Sequence, residues 1–148
     1  MYSYFIIFLP LIIGFFIGFF TKPDKWYFDL NKSPLTPPGY VFSIAWSILY
    51  ILIGISYFIA LNNKSFIYWI IPLLHLFLNF LYTPFIFLYN KILESSFIVL
   101  LTLITAIITM ILFYNYDNTR ISFYLLIPYI IWLIFANYLS WSLYFLNK

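Results

Sequence analysis

The sequence predicts an all-α integral membrane protein, a single domain over residues 1–148 built as a bundle of five transmembrane helices. Three observations predict it. The chain is 66% hydrophobic and only 7% charged, against roughly 45 to 50% and 25% in soluble domains, so it has too little polar surface to face water. Its apolar residues fall into five runs, each near the roughly 20 residues a helix needs to cross a hydrocarbon core of about 30 Å. Finally, every Lys, Arg, Asp and Glu lies between those runs or at their ends.

The first run, residues 2–20, has no basic residue before it and no small-residue cleavage site after it, so it reads as a retained span rather than a signal peptide. Gly14 and Gly18 stand four apart in it, which clears one helix face for close packing, either inside the bundle or against a second copy in a homodimer. Residues 21–38 hold Lys22, Asp24, Lys25, Asp29 and Lys32 together with Pro23, Pro34, Pro37 and Pro38, and form a loop outside the hydrocarbon. Within it Trp26 and Tyr27 serve either as head-group anchors or as part of a lid over the bundle. Thr36 is expected to cap the second helix, with Pro37 in its first turn.

That second helix is expected over 39–60 and the third over 66–88. Pro72 and Pro84 should bend the third and turn the freed carbonyls toward neighbouring helices or a cavity. The fourth, over 95–116, carries Thr102, Thr105 and Thr109 on one face for packing on a sister helix. The fifth, over 121–146, contains Pro128, and turns at 62–65, 90–94 and 117–120 join the last four spans. Lys22, Lys25, Lys32, Lys91 and Lys148 fall at one end of this layout, with Lys64 and Arg120 at the other. The positive-inside rule then places the first loop and the C-terminus in the cytoplasm. A net charge of +3 without a basic patch offers nothing to nucleic acid.

Several chemistries are excluded. Without cysteine there are no disulfides, thiolate metal sites or cysteine nucleophiles. Asp24, Asp29, Glu94 and Asp117 all lie outside the predicted spans, so the ionisable relay of a proton-driven pump is missing. The single histidine, His75, cannot supply paired haem ligands or a catalytic triad, and reads as a hydrogen-bonded residue between helices. What the spans hold in excess is aromatic surface, 26% of all residues. Helical spacing puts Trp46 and Tyr50 one turn apart on the second helix, His75, Asn79 and Tyr82 along one face of the third, and Trp132 and Ala136 on the fifth. Such walls suit a large flat apolar ligand, with Asn79 offering a directional hydrogen bond. The same rings serve equally well as packing between helices or as contacts with lipid.

At these residues the chain resembles the tryptophan-rich sensory protein family, the TspO/MBR proteins, whose mitochondrial members are called translocator protein or peripheral benzodiazepine receptor. The likeness covers nearly the whole chain. It is carried by Trp26-Tyr27, Leu30-Asn31-Lys32, Thr36-Pro37-Pro38-Gly39-Tyr40-Val41-Phe42, and Trp46 through Leu49-Tyr50 to Gly54. Leu78-Asn79 with Pro84, and Pro128-Tyr129 through Trp132 to Phe135-Ala136, complete it.

The resemblance implies a multi-pass protein of a bacterial inner membrane, or of a mitochondrial outer membrane, that binds protoporphyrin or haem and requires no cofactor. Sterols are a lesser expectation, on the pattern Leu139, Tyr144 and Lys148. By motif position the pocket takes Tyr27 and Pro37 from a lid, Trp46 and Tyr50, Asn79 and Tyr82, and Trp132, Phe135, Ala136 and Leu139. In bacterial relatives the tryptophans matching Trp46 and Trp132 are the proposed redox groups of light- and oxygen-dependent porphyrin breakdown. They are the sole catalytic candidates; the leading expectation is a tetrapyrrole-binding receptor or sensor, with a passive transporter of porphyrins, sterols or similar amphiphiles as the alternative. The chain departs from the family pattern at Tyr40 and Tyr82, where tryptophan is usual, at Ser33-Pro34, at Ser140, and at His75, where glutamine is common.

Overall fold

The computed structural model describes residues 4–148, so the first residues of the expected 2–20 span lie outside the described residues. The elements are α1 (Phe5–Phe20), α2 (Lys25–Asp29), α3 (Gly39–Leu61), α4 (Ile70–Phe87), α5 (Ile92–Tyr116) and α6 (Ile121–Leu146), with a 3-10 turn over Phe66–Trp69 leading into α4. Four segments, Gly39–Leu61, Phe66–Phe87, Ile92–Tyr116 and Ile121–Leu146, are long and apolar enough to cross a membrane. The first helix is apolar but shorter: its 16 residues span about 24 Å at 1.5 Å each.

The expected boundaries shift at three places, each for a physical reason. Thr36 does not cap α3. Consecutive prolines force Thr36 and Pro37 out of the α region, so Pro38 takes the cap position without a side-chain bond, and the Thr36 N–H donates to the Ser33 carbonyl at 2.9 Å. The loop after α1 is not wholly irregular, because Asp24 caps the short α2 by accepting the Tyr27 N–H at 3.2 Å. Helix α5 begins at Ile92 rather than residue 95, which puts Glu94 in its first turn. There the carboxylate meets the positive end of the helix dipole and the Lys91 ammonium at 3.1 Å. Pro72 falls in the first turn of α4, leaving Pro84, Pro128 and Pro10 as the prolines inside helices.

The helices pack in cyclic order, α1 beside α3 and α4, α3 beside α6, α6 beside α5, and α5 beside α4. Small residues set the closest approach. A β-carbon on Gly54 would run into the main-chain carbonyl of Ile7, and one on Gly14 would run into the Tyr50 ring. Gly14 is therefore used in packing α1 on α3 within the chain, whereas Gly18 has open space around it. Leu49, Ile53, Leu61, Phe113, Leu126 and Leu133 fill the interior, while Phe16, Phe77 and Ile131 point outward, more than 60% exposed, as lipid-facing side chains do. Thr102 and Thr109 are buried as expected of their face; the Thr102 hydroxyl is spent on its own helix, donating to Ile98 O at 2.8 Å.

Each tight turn uses one residue in the left-handed region: Asn63 (φ 68°), Asn90 (φ 57°) and Arg120 (φ 60°). Asparagine tolerates that conformation; Arg120 has its guanidinium 4.2 Å from the Tyr114 ring centre. In the last turn Asp117 fixes the start of α6. Its Oδ1 accepts the Thr119 N–H at 2.9 Å and the Thr119 hydroxyl at 2.6 Å, and its Oδ2 accepts the Ser122 N–H at 2.9 Å. Burial pushes this carboxyl up, but the bonds from Thr119 and Ser122 outweigh it and hold the group down at about 2.

Gly54→Ala is expected to lower stability by about 1–3 kcal/mol, as overpacking against backbone does, while Gly18→Ala leaves it unchanged; thermal unfolding in detergent compares them. Because the folded-state value of Asp117 lies below the ordinary carboxylate value, its contribution is full above about pH 4 and fades as pH falls toward about 2. Asp117→Asn should melt below wild type at neutral pH, and melting scans at lower pH should show the gap closing across that window.

Candidate functional site

Helical spacing places Trp46, Tyr50 and Tyr57 at four- and seven-residue steps along the inward face of α3. Opposite them α4 presents His75 and Asn79 one turn apart, and α6 presents Tyr129 and Trp132. The polar groups among these join into one string across the interior. The Tyr50 hydroxyl donates to Asn79 Oδ1 at 2.9 Å, and Asn79 Nδ2 donates to the Tyr129 hydroxyl at 2.8 Å. Tyr129 meets His75 Nε2 at 2.7 Å, His75 Nδ1 meets the Tyr57 hydroxyl at 2.7 Å, and Tyr57 donates to the Pro72 carbonyl at 2.8 Å.

The direction of every bond follows from valence. The Pro72 carbonyl can only accept, so the single Tyr57 proton points there and the Tyr57 oxygen must accept from His75 Nδ1–H. Asn79 Nδ2 donates to the Tyr129 oxygen and the Asn79 carbonyl accepts from Tyr50, which leaves the Tyr129 proton for His75 Nε2. His75 is thus neutral with its proton on Nδ1 and its Nε2 bare. All the donors point the same way, from Tyr50 to Pro72, an arrangement in which each bond polarises the next. His75, Tyr57 and Tyr129 are 2% exposed or less, so water cannot replace a missing partner.

Beside the string lies the aromatic cluster. The Trp46 ring centre is 5.3 Å from Tyr50, 6.2 Å from Tyr129 and 6.5 Å from Trp132, the last pair edge to face at 89°. Phe42 and Phe135 flank Trp132 at 5.8 and 5.7 Å, and Ala136 packs against the same core. The space between the two tryptophans is filled by their own rings. Trp132 Nε1 is buried there and has no acceptor among the described residues.

The remaining predicted residues lie around this centre. Tyr82 turns its hydroxyl to Ser140 at 3.5 Å, next to a Ser96–Ser140 contact of 2.9 Å between α5 and α6, and so does not join the string. Tyr27 packs its ring on Phe87 at the end of α4, 4.9 Å between centres, and the Lys32 ammonium sits 4.7 Å from the same ring. That contact folds α2 onto the end of α4, and burial raises the Tyr27 phenol above the usual range. Lys32 also donates to the Tyr27, Phe28 and Leu30 carbonyls at 2.6, 3.1 and 3.1 Å, closing off α2. Pro37 and Leu139 are half-buried and bring no polar or aromatic group to the cluster. A hydrogen bond of 2.9 Å between Ser33 and Tyr138 ties the loop before α3 to α6. Two apolar recesses flank the bundle: one of about 520 Å³ between the lid at Ser33 and Pro34 and the outer side of α6, and one of about 450 Å³ between α1 and α4 that reaches Tyr57.

Sequence reasoning missed Tyr57, Tyr129 and Phe42 as site residues. Spacing held a signal for two of them, since Tyr57 is two turns beyond Tyr50 and Tyr129 one turn before Trp132.

The sequence pattern of the TspO/MBR family matches residues 6–146. Among similar proteins, the tryptophan-rich protein TspO of Bacillus cereus is 34% identical over 125 residues, covering 82% of this chain and 80% of its own. The tryptophan-rich protein TspO of Archaeoglobus fulgidus is 33% identical over 145 residues, 93% of this chain and 91% of its own. A tryptophan-rich sensory protein of Cereibacter sphaeroides is 30% identical over 134 residues, 88% and 82% of the two chains.

The role of His75 predicts a sharp difference between two substitutions. His75→Leu strands Tyr129 and Tyr57 and should cost about 1–3 kcal/mol for each group left unsatisfied. His75→Gln supplies one acceptor and one donor and should stay close to wild type. Unfolding midpoints in detergent measure both, and nitrogen-15 shifts of the imidazole report whether Nδ1 carries the proton.

Proposed function

The chain belongs to the TspO/MBR family of membrane proteins, and from that premise we propose that it is a receptor or sensor binding a tetrapyrrole, protoporphyrin or haem, between α3, α4 and α6 beneath the lid. In this reading α1 is a fifth span. The carrying observation is the edge-to-face pair of Trp46 and Trp132 at 6.5 Å, set one turn from the Tyr50–Asn79 hydrogen bond. Flat rings of this kind stack on a flat ligand. The buried Trp132 Nε1–H without an acceptor supplies a donor for a ring nitrogen or propionate. Binding requires the two indoles to part, and both are half-buried side chains that can turn about their own torsions while the string holds the backbone.

Oxidative breakdown of bound porphyrin in light and oxygen is the activity this site would support, with Trp46 and Trp132 exchanging electrons with the ligand. A second reading, passive movement of porphyrins or sterols through the membrane, draws on the recess between α1 and α4, which offers a lateral approach from lipid to the interior. Flux into sealed proteoliposomes separates carriage from sensing.

Titration of the purified protein with protoporphyrin should quench tryptophan fluorescence and shift the porphyrin absorption band. Removing two stacking partners, at about 0.5–1.5 kcal/mol each, should weaken binding about tenfold in the double variant Trp46→Ala, Trp132→Ala. Unchanged affinity in that variant would rule out this pocket.

A further inference from the structure

The hydrogen-bonded string contains more chemistry than packing needs. A side chain at position 75 has only to accept from Tyr129 and donate to Tyr57, and an amide would do both. An imidazole adds one property, a basic nitrogen, and that nitrogen is aimed at the Tyr129 hydroxyl at 2.7 Å. Tyr129 is fully buried, and its ring centre is 6.2 Å from that of Trp46, which lies half-exposed beside Trp132. A phenol loses an electron readily only if its proton leaves at the same time, since the protonated radical cation is a far stronger acid than the phenol. A buried phenol has no water to take that proton, and here a bare nitrogen is in line to receive it.

We infer that Trp46, Tyr129 and His75 form a hole relay that carries oxidising equivalents away from the ligand-facing tryptophans into the interior. The inference deepens the tetrapyrrole reading, and its oxidant is a photoexcited tetrapyrrole or another one-electron acceptor at the tryptophan pair. One electron leaves Trp46 for that oxidant and gives an indole radical cation. Tyr129 then returns an electron to Trp46 while its O–H bond breaks, the proton forming a new N–H bond on His75 Nε2. The products are neutral Trp46, a neutral Tyr129 phenoxyl radical and a His75 imidazolium. The positive charge has moved from indole to imidazole, and electrons and protons balance. His75 keeps its Nδ1–H on the Tyr57 oxygen throughout, so the imidazolium is born hydrogen-bonded on both sides. Trp46 is thereby restored before dioxygen can modify its ring.

The experiment uses the full chain in detergent with photogenerated tris(bipyridyl)ruthenium(III) as oxidant, followed by rapid freezing and electron paramagnetic resonance. The expected result is a neutral tyrosyl signal in wild type that disappears in Tyr129→Phe, where a tryptophanyl signal replaces it. In His75→Gln, which keeps both hydrogen bonds but not the base, the Tyr129 signal should be lost while the melting temperature holds. A tyrosyl signal unchanged in either variant overturns the relay, as does its absence from wild type. Should His75→Gln fail to fold, the Tyr129→Phe comparison decides alone. Protoporphyrin binding, read separately from the shift of its absorption band, keeps the two ideas apart: a Tyr129 radical with no porphyrin binding leaves the relay standing and overturns the ligand reading.

Discussion

The structure depends on the hydrogen-bonded string that runs from Tyr50 through Asn79, Tyr129, His75 and Tyr57 to the Pro72 carbonyl. In a bilayer the exclusion of water from the interior makes each unsatisfied polar group expensive, so these donors and acceptors must meet. Meeting is possible only at one rotation of α3, α4 and α6 about their own axes. Once that rotation is set, Trp46 follows, being one turn from Tyr50, and Trp132 follows, being one turn from Tyr129. The aromatic cluster is a geometric consequence of the polar one.

Elsewhere the helices are joined by smaller polar contacts of the same logic. Ser56 donates to the Ser122 carbonyl at 2.7 Å, linking α3 to α6, and Asn137 donates to the Val99 carbonyl at 3.1 Å, linking α6 to α5. Such bonds contribute modestly in lipid, about 0.6 kcal/mol on average, so van der Waals packing of the kind seen at Gly54 on Ile7 carries much of the cohesion. The loop between α1 and α3 is built differently. It lies at the lysine-rich end and is held by charge-assisted capping from Lys32 and by the Ser33–Tyr138 contact, interactions that tolerate water.

Much of this was readable in the amino acids, because the bilayer imposes length and composition on anything that crosses it. The four longer spans were found within a few residues, and His75 was read as a hydrogen-bonded residue between helices, which it is. The misreadings came from local competition. Thr36 has the right chemistry to cap a helix, yet the prolines after it remove the backbone conformation that capping requires. Tyr82 does share a helical face with His75 and Asn79, as spacing implies, and from there its hydroxyl meets Ser140 of α6. Tyr57 and Tyr129 are harder to single out for another reason. Spacing sets each on the right helix face, but the chain has 15 tyrosines, and what distinguishes these two is a partner on another helix, which spacing within one helix does not encode. The assignment of particular residues to a pocket rests on family resemblance; spacing alone leaves packing and ligand walls equally open.

The paired bonds between Asn31 and Asn147 have a practical side. Asn147 Oδ1 accepts the Asn31 N–H at 2.9 Å while Asn147 Nδ2 donates to the Asn31 carbonyl at 2.8 Å, and the same nitrogen donates to Leu143 O at 2.7 Å. Asn147, just past the end of α6, is thus a latch between that helix and the loop after α2. A handle joined close behind Asn147 loads this contact, so stability measured on such a protein reports the contact and the handle together. A protease-cleavable tag, or a handle inserted at the turn around Asn63 on the opposite end, leaves the latch undisturbed.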